Sequence, residues 1–150
     1  MPETKGLIVA IRKGPPKPIV TIVIASDHGY HSAGNASFPA GVKYIIHPTS
    51  RAILNRSAEA FALRASGGGR GGAAPWTAPA DAELVADKKT ITMGGEGMQI
   101  LFLGRSHTGG DLAVWLPGVQ NLFLSAHYLN RPSPAMRSAY PSGWLKALDR

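Results

Sequence analysis

The residues of this chain best suited to chemistry gather in two clusters, Ser26-Asp27-His28-Gly29-Tyr30-His31 and Ser106-His107-Thr108-Gly109-Gly110-Asp111, with a further histidine, His127, in Ser125-Ala126-His127. A neutral imidazole offers a lone pair to a metal or a base to a proton transfer. The 150 residues contain no cysteine, which excludes disulfides, zinc fingers and redox motifs. Any metal must therefore be held by imidazole, carboxylate or water. Each cluster follows an apolar run that reads as a strand, so His28, His31, His107 and His127 are expected at strand ends along one rim of a sheet, with Asp27 beside them. Three of the four could hold one zinc ion and leave a fourth position for water, the open geometry of a catalytic site. The bland alternative is a set of polar loop residues that bind nothing tightly.

Other polar residues near the clusters have simpler readings. His47 lies before Pro48 at a strand-to-helix junction, where a structural role or partial burial is expected in place of ligation. Asp111 follows two glycines, and its carboxylate can bond nearby backbone N–H groups as in an Asx-turn. Tyr30, after a glycine in a loop, reads as packing, with donation of its hydroxyl to a substrate oxyanion as the sharper option. Trp76, Trp115 and Trp144 read as core or lid residues.

The elements that position these groups follow from the patterning. Residues 3–13 place Leu7, Ile8 and Ile11 at helical spacing, and Gly14-Pro15-Pro16 stops that helix. Ile19-Val20-Thr21-Ile22-Val23-Ile24 is a continuous, mostly β-branched run, the pattern of a central strand buried on both faces, and it ends in the loop carrying Asp27, His28 and His31. Val42-Lys43-Tyr44-Ile45-Ile46 predicts a second strand, followed by a helix capped by Thr49 or Ser50 and running to about residue 64. Strand alternating with helix predicts an α/β fold. From Lys89 the pattern changes to short strands at residues 90–93, 98–103, 112–116 and 121–124, with Gly94-Gly95-Glu96-Gly97 and Pro117-Gly118 as hairpin connections. That half predicts a β-meander with the second cluster inside it.

The length suits a single domain over residues 1–150. Residues 66–75, Ser-Gly-Gly-Gly-Arg-Gly-Gly-Ala-Ala-Pro, are too rich in glycine to sustain regular structure and predict a flexible loop. A phosphate-cradling role for that loop is disfavoured because no Gly-Lys-Ser/Thr follows and no strand leads in. Sixteen Lys and Arg outnumber nine Asp and Glu, but the basic residues are scattered and lack an accompanying aromatic strand, which argues against a nucleic-acid partner. No run approaches the ~20 apolar residues of a membrane span, and residues 1–13 lack a signal-peptide pattern. A soluble, cytoplasmic protein without a membrane partner is the expectation.

The first cluster resembles the His-x-His-x-Asp-His metal loop of the metallo-β-lactamase superfamily, and the second resembles that superfamily's His-Thr-x-Gly-Asp loop. Further matches fall in the expected order: Lys17-Pro18-Ile19, Gly34-Asn35, Phe38-Pro39-Ala40-Gly41, Ile45-Ile46-His47-Pro48, and Leu116-Pro117 before Asn121-Leu122-Phe123. Asn130-Arg131-Pro132 and Trp144-Leu145-Lys146-Ala147-Leu148 resemble the alkylsulfatase-like branch. The resemblance implies a mixed β-sheet flanked by helices, part of an αββα sandwich, with zinc at the sheet edge. Metal-bound water would attack an ester, amide or sulfate in a small-molecule substrate.

The chain also departs from the family pattern. Ser26 stands where the family has its first histidine, Tyr30 where it has its aspartate, and Ala126 or His127 where a carboxylate bridges two metals. The family's last histidine and its leading strands have no counterpart. Two functions therefore stay open: a hydrolase with one zinc held by His28, His107 and His127 or His31, and a catalytically inactive binding or oligomerisation module. The incomplete sandwich would expose apolar sheet surface, so a homo-oligomer covering it is expected.

Overall fold

Thr21, Ile22, Val23 and Ile24 form strand β1 (Thr21–Ile24), which pairs in parallel with β2 (Lys43–Ile46), and β2 pairs in parallel with the two-residue β3 (Glu83–Leu84). The computed structural model describes residues 2–14, 17–66, 75–130 and 133–150. The glycine-rich loop expected at residues 66–75 lies, apart from its two ends, outside the described residues.

Alternation along β1 and β2 explains their apolar composition. Ile22, Ile24, Tyr44 and Ile46 pack on one face with Leu54, Trp76, Ala78 and Ala82, while Val23 and Ile45 pack on the other with Val85, Ile100 and Leu112. Leu54 comes from helix α3 (Pro48–Ser66), so this sheet has a helix on one side and a second sheet on the other. Full burial of an isoleucine such as Ile46 or Ile100 stabilises by about 1.5–3 kcal/mol. The expectation of a central strand for β1 is corrected: β2 lies in the middle and β1 at the edge of the described sheet. A continuous apolar run reports two covered faces, and it carries no count of neighbouring strands.

The second sheet is antiparallel, in the order β4 (Lys88–Met93), β5 (Glu96–Leu101), β6 (Ala113–Leu116) and β7 (Asn121–Phe123). The β4–β5 turn is tighter than expected. Met93 pairs with Glu96, and the two connecting residues, Gly94 and Gly95, have φ of 62° and 85°, the left-handed pair that a two-residue hairpin of type I′ requires. The expected meander is present, and the second histidine cluster fills the connection between β5 and β6.

Helices α1 (Pro2–Arg12), the one-turn α2 (Gly29–Ser32) and α4 (Pro141–Leu148) complete the described elements that bear on the site. Helix α3 begins at Pro48, so the expected cap at Thr49 or Ser50 is corrected. Proline is favoured in the first helical turn because that turn needs no donor there, and the His47 ring accepts the Thr49 N–H at Nδ1, 3.1 Å away. No described helix is long and apolar enough to cross a membrane.

Candidate metal centre

The two clusters meet because the end of β1 is tied to the start of β6. Leu112 N–H donates to the Ala25 carbonyl at 3.1 Å. The buried Ser50 hydroxyl, at the start of α3, lies 2.9 Å from the Gly110 carbonyl and 3.2 Å from Asp27 Oδ2, bridging both loops. A Cβ on Gly110 would fall 2.4 Å from Ser50 Oγ and 2.9 Å from Ser50 N, so only glycine lets the second loop approach the helix so closely.

The second loop is buried from Ser106 to Ala113 and is organised by Asp111. Its Oδ2 accepts from Ser106 Oγ at 2.8 Å and from Thr108 N–H at 2.5 Å, and its Oδ1 accepts from Thr108 Oγ1 at 2.5 Å. The structural role expected for Asp111 is what these bonds describe. His47 is likewise structural: buried, stacked on Phe102 at 4.1 Å between ring centroids, and used at Nδ1 by Thr49.

On this frame His28 and His107, 79 residues apart in sequence, bring ring nitrogens together. His28 Nδ1 lies 3.1 Å from His107 Nε2. Imidazole nitrogens that share one tetrahedral zinc ion, each about 2.0–2.1 Å from it, stand roughly 3.3 Å apart. The pair therefore fits a common ion. His28 Nε2, on the far side of its ring, is 2.8 Å from Ser138 Oγ, and His107 packs edge-on against Trp144.

The other two expected ligands stand close by without joining the pair. His31 is exposed, with its ring against Tyr30. His127 is buried at the end of a single 3₁₀ turn after β7, and its Nδ1 bonds the Leu124 carbonyl at 2.7 Å. That contact fixes the proton on Nδ1 and leaves Nε2 as a bare lone pair, buried and without a hydrogen-bond partner. Among the described residues, no three His, Asp or Glu side chains are placed to hold one ion. Ser26 is buried with its hydroxyl unpartnered.

Sequence reasoning passed over three contacts made by two residues. Tyr30 Oη lies 2.8 Å from His28 Nδ1 and 3.4 Å from His107 Nε2, and Ser138 reaches His28 from 110 residues away. The sequence signals for Tyr30 were its place two residues after His28 and its standing at the position of the aspartate in the resembled metal loop; Ser138 gave none. An open cleft of about 580 Å³ adjoins the pair, lined by Tyr30, His31, His107, Ser125, Ala126 and Leu129 among others.

Burial, and then the neighbouring His28, hold the His107 imidazole below its ordinary range. His31 is lowered by the loss of water around its ring and by His28 and His107, and His47 chiefly by burial. Asp27 runs the other way, raised chiefly by burial and further by Asp111, against the lowering effect of the Ser50 hydrogen bond.

These shifts have a definite sign in stability. For the three histidines, the unfolded chain takes up protons near pH 6.5 that the folded protein resists, so their contribution is fully present above about pH 6.5 and is lost as pH falls below it. Asp27 holds a proton that the unfolded chain releases, and its contribution is lost as pH rises from about 3.8 through its raised folded value. Between about pH 7.5 and pH 5 the histidine effect governs. The urea midpoint is expected to fall across that interval with an unchanged m-value, and a flat midpoint would refute the assignment.

No protein-family model and no curated protein matches the chain. Solved structures do match in fold. The metallo-β-lactamase IND-7 aligns with a TM-score of 0.70 at 20% identity, covering 97% of this chain and 60% of that one. A metallo-β-lactamase from Pontibacter korlensis gives 0.68 at 19%, covering 97% and 60%. The B3 metallo-β-lactamase BLEG-1 gives 0.69 at 18%, covering 97% and 68%. The chain thus spans about 60% of the length of the first of these structures. With its parallel and antiparallel sheets packed face to face, α3 on the outer side and the histidine loops at the sheet ends, this chain has the metallo-β-lactamase fold, in shortened form.

Proposed function

We propose that the protein is a single-metal hydrolase in which His28 and His107 hold a zinc ion at the mouth of the cleft. The observation that carries this reading is the 3.1 Å approach of His28 Nδ1 to His107 Nε2. Zinc so held would supply Lewis-acid chemistry, polarising an ester, amide or sulfate oxygen and lowering the pKa of nearby water towards about 7. Ser138 Oγ accepts a hydrogen bond from His28 Nε2–H and so keeps the Nδ1 lone pair turned towards the site. Burial keeps His107 neutral, the form that can ligate. His31, exposed on the cleft wall and also kept neutral, can accept a proton from a group bound there. Its substrate is a small molecule, and the setting is the cytoplasm.

A second reading is favoured by one observation, that no third His, Asp or Glu converges on the pair among the described residues. In that reading the fold serves as a non-catalytic module whose exposed β7 side chains, Leu122 and Phe123, pack against a second copy. Metal analysis after purification without added metal, combined with light scattering, separates the two. Near-stoichiometric zinc supports the hydrolase, whereas a metal-free dimer supports the module.

A further inference from the structure

We propose that Tyr30 is a metal ligand, so that the coordinating set of this chain is His28 Nδ1, His107 Nε2 and the phenolate oxygen of Tyr30. The inference rests on the metal-binding reading above and names the third donor that the acidic residues and the other histidines do not supply.

Three distances carry it. Tyr30 Oη is 2.8 Å from His28 Nδ1 and 3.4 Å from His107 Nε2, and the two nitrogens are 3.1 Å apart. A triangle with those sides has a centre about 1.8 Å from every corner, so an ion roughly 1 Å out of its plane lies at the usual 2.0–2.1 Å from all three donors. The alternatives fare worse: His127 Nε2 makes no hydrogen bond to this group or to any other, and His31 touches the cluster through its ring contact with Tyr30.

The hydrogen bonds at His28 agree with this assignment. With His28 Nε2–H donating to Ser138 Oγ, His28 Nδ1 is a lone pair and accepts the Tyr30 O–H. The phenol proton then sits between two donor atoms, where a cation would replace it. As the metal–oxygen bond forms, Tyr30 releases that proton to water, with no change in oxidation state. Tyr30 is 69% exposed, so nothing in the packing needs its hydroxyl, and phenylalanine can take its place without disturbing the core.

Copper(II) is the probe, because phenolate bound to it produces an intense visible charge-transfer band that imidazole and water do not. Wild-type protein is expected to bind one equivalent of copper with that band and one equivalent of zinc in a separate titration. Tyr30→Phe is expected to lose the band and bind zinc about ten-fold or more weakly, with an unchanged circular dichroism spectrum. If the wild-type protein binds zinc and copper without the band, and Tyr30→Phe binds zinc equally well, the tyrosine assignment is overturned while the metal reading stands. If the wild-type protein takes up neither metal, both fail.

Discussion

Replacing His28 with alanine is expected to end zinc uptake and hydrolysis together while leaving the protein folded. His28 gives Nδ1 to the site and is half-buried on a loop, and its contacts are polar ones to Tyr30, Ser138 and His107. Losing it removes a donor outright, which should weaken zinc binding by about a hundred-fold or more, beyond the 10–100-fold typical of residues that only orient a ligand. Its cost in stability should stay within about 1 kcal/mol, since no close-packed volume is vacated.

His107→Ala should differ in one respect. That ring is 3% exposed and packs against Trp144 with centroids 5.6 Å apart, so its removal opens a cavity as well as the coordination sphere. A further loss of about 2–3 kcal/mol is expected. The pair of variants thus separates metal binding from packing: both lose zinc, and one loses substantial stability. Zinc content unchanged in His28→Ala, measured on protein with a native circular dichroism spectrum, would place the metal elsewhere.

How much of this was legible in the sequence depended on whether a feature is local. The histidine loops that follow β1 and β5, the Gly94-Gly95 turn and the apolar runs of β1 and β2 are written within a few residues, and the structure has them in those places. β3 was missed because two residues are too short to carry a period. The start of α3 was misplaced because its cap is an imidazole, a residue type without strong capping preference, acting before a proline. Tyr30 and Ser138 were hidden for a different reason. Their contacts to His107 and His28 span 77 and 110 residues and exist only once both loops are docked. Ser50 and Gly110 make that docking possible, and although both stood out in the sequence, as a helix cap and a loop glycine, nothing there showed that they meet.

The same docking predicts the largest stability effect in the chain, at Asp111. Its carboxylate is fully buried and accepts three hydrogen bonds, from the Thr108 backbone N–H, the Thr108 hydroxyl and the Ser106 hydroxyl, all inside a loop that is itself buried. Alanine would leave those three donors without their acceptor. A stranded buried donor costs about 1–3 kcal/mol, although hydroxyls can turn to other acceptors and a backbone N–H cannot. Removing the charge also relieves Asp27, whose protonation Asp111 now favours by repulsion, and this returns part of the loss. The donors outnumber that single compensation, so a net cost of about 3–5 kcal/mol is expected. For a chain of this size that lowers Tm by roughly 6–20 °C. Asp111→Asn should fall between, because its amide keeps one acceptor oxygen but turns an NH₂ towards donors. Thr108 adjoins His107, so the alanine variant should also bind zinc about 10–100-fold more weakly by loosening the ring that ligates it. A calorimetric Tm for Asp111→Ala within two or three degrees of the wild type, by the same scale, would mean that the loop is held by its backbone and not by this carboxylate. The convergence of His28 and His107 would then need a different physical cause.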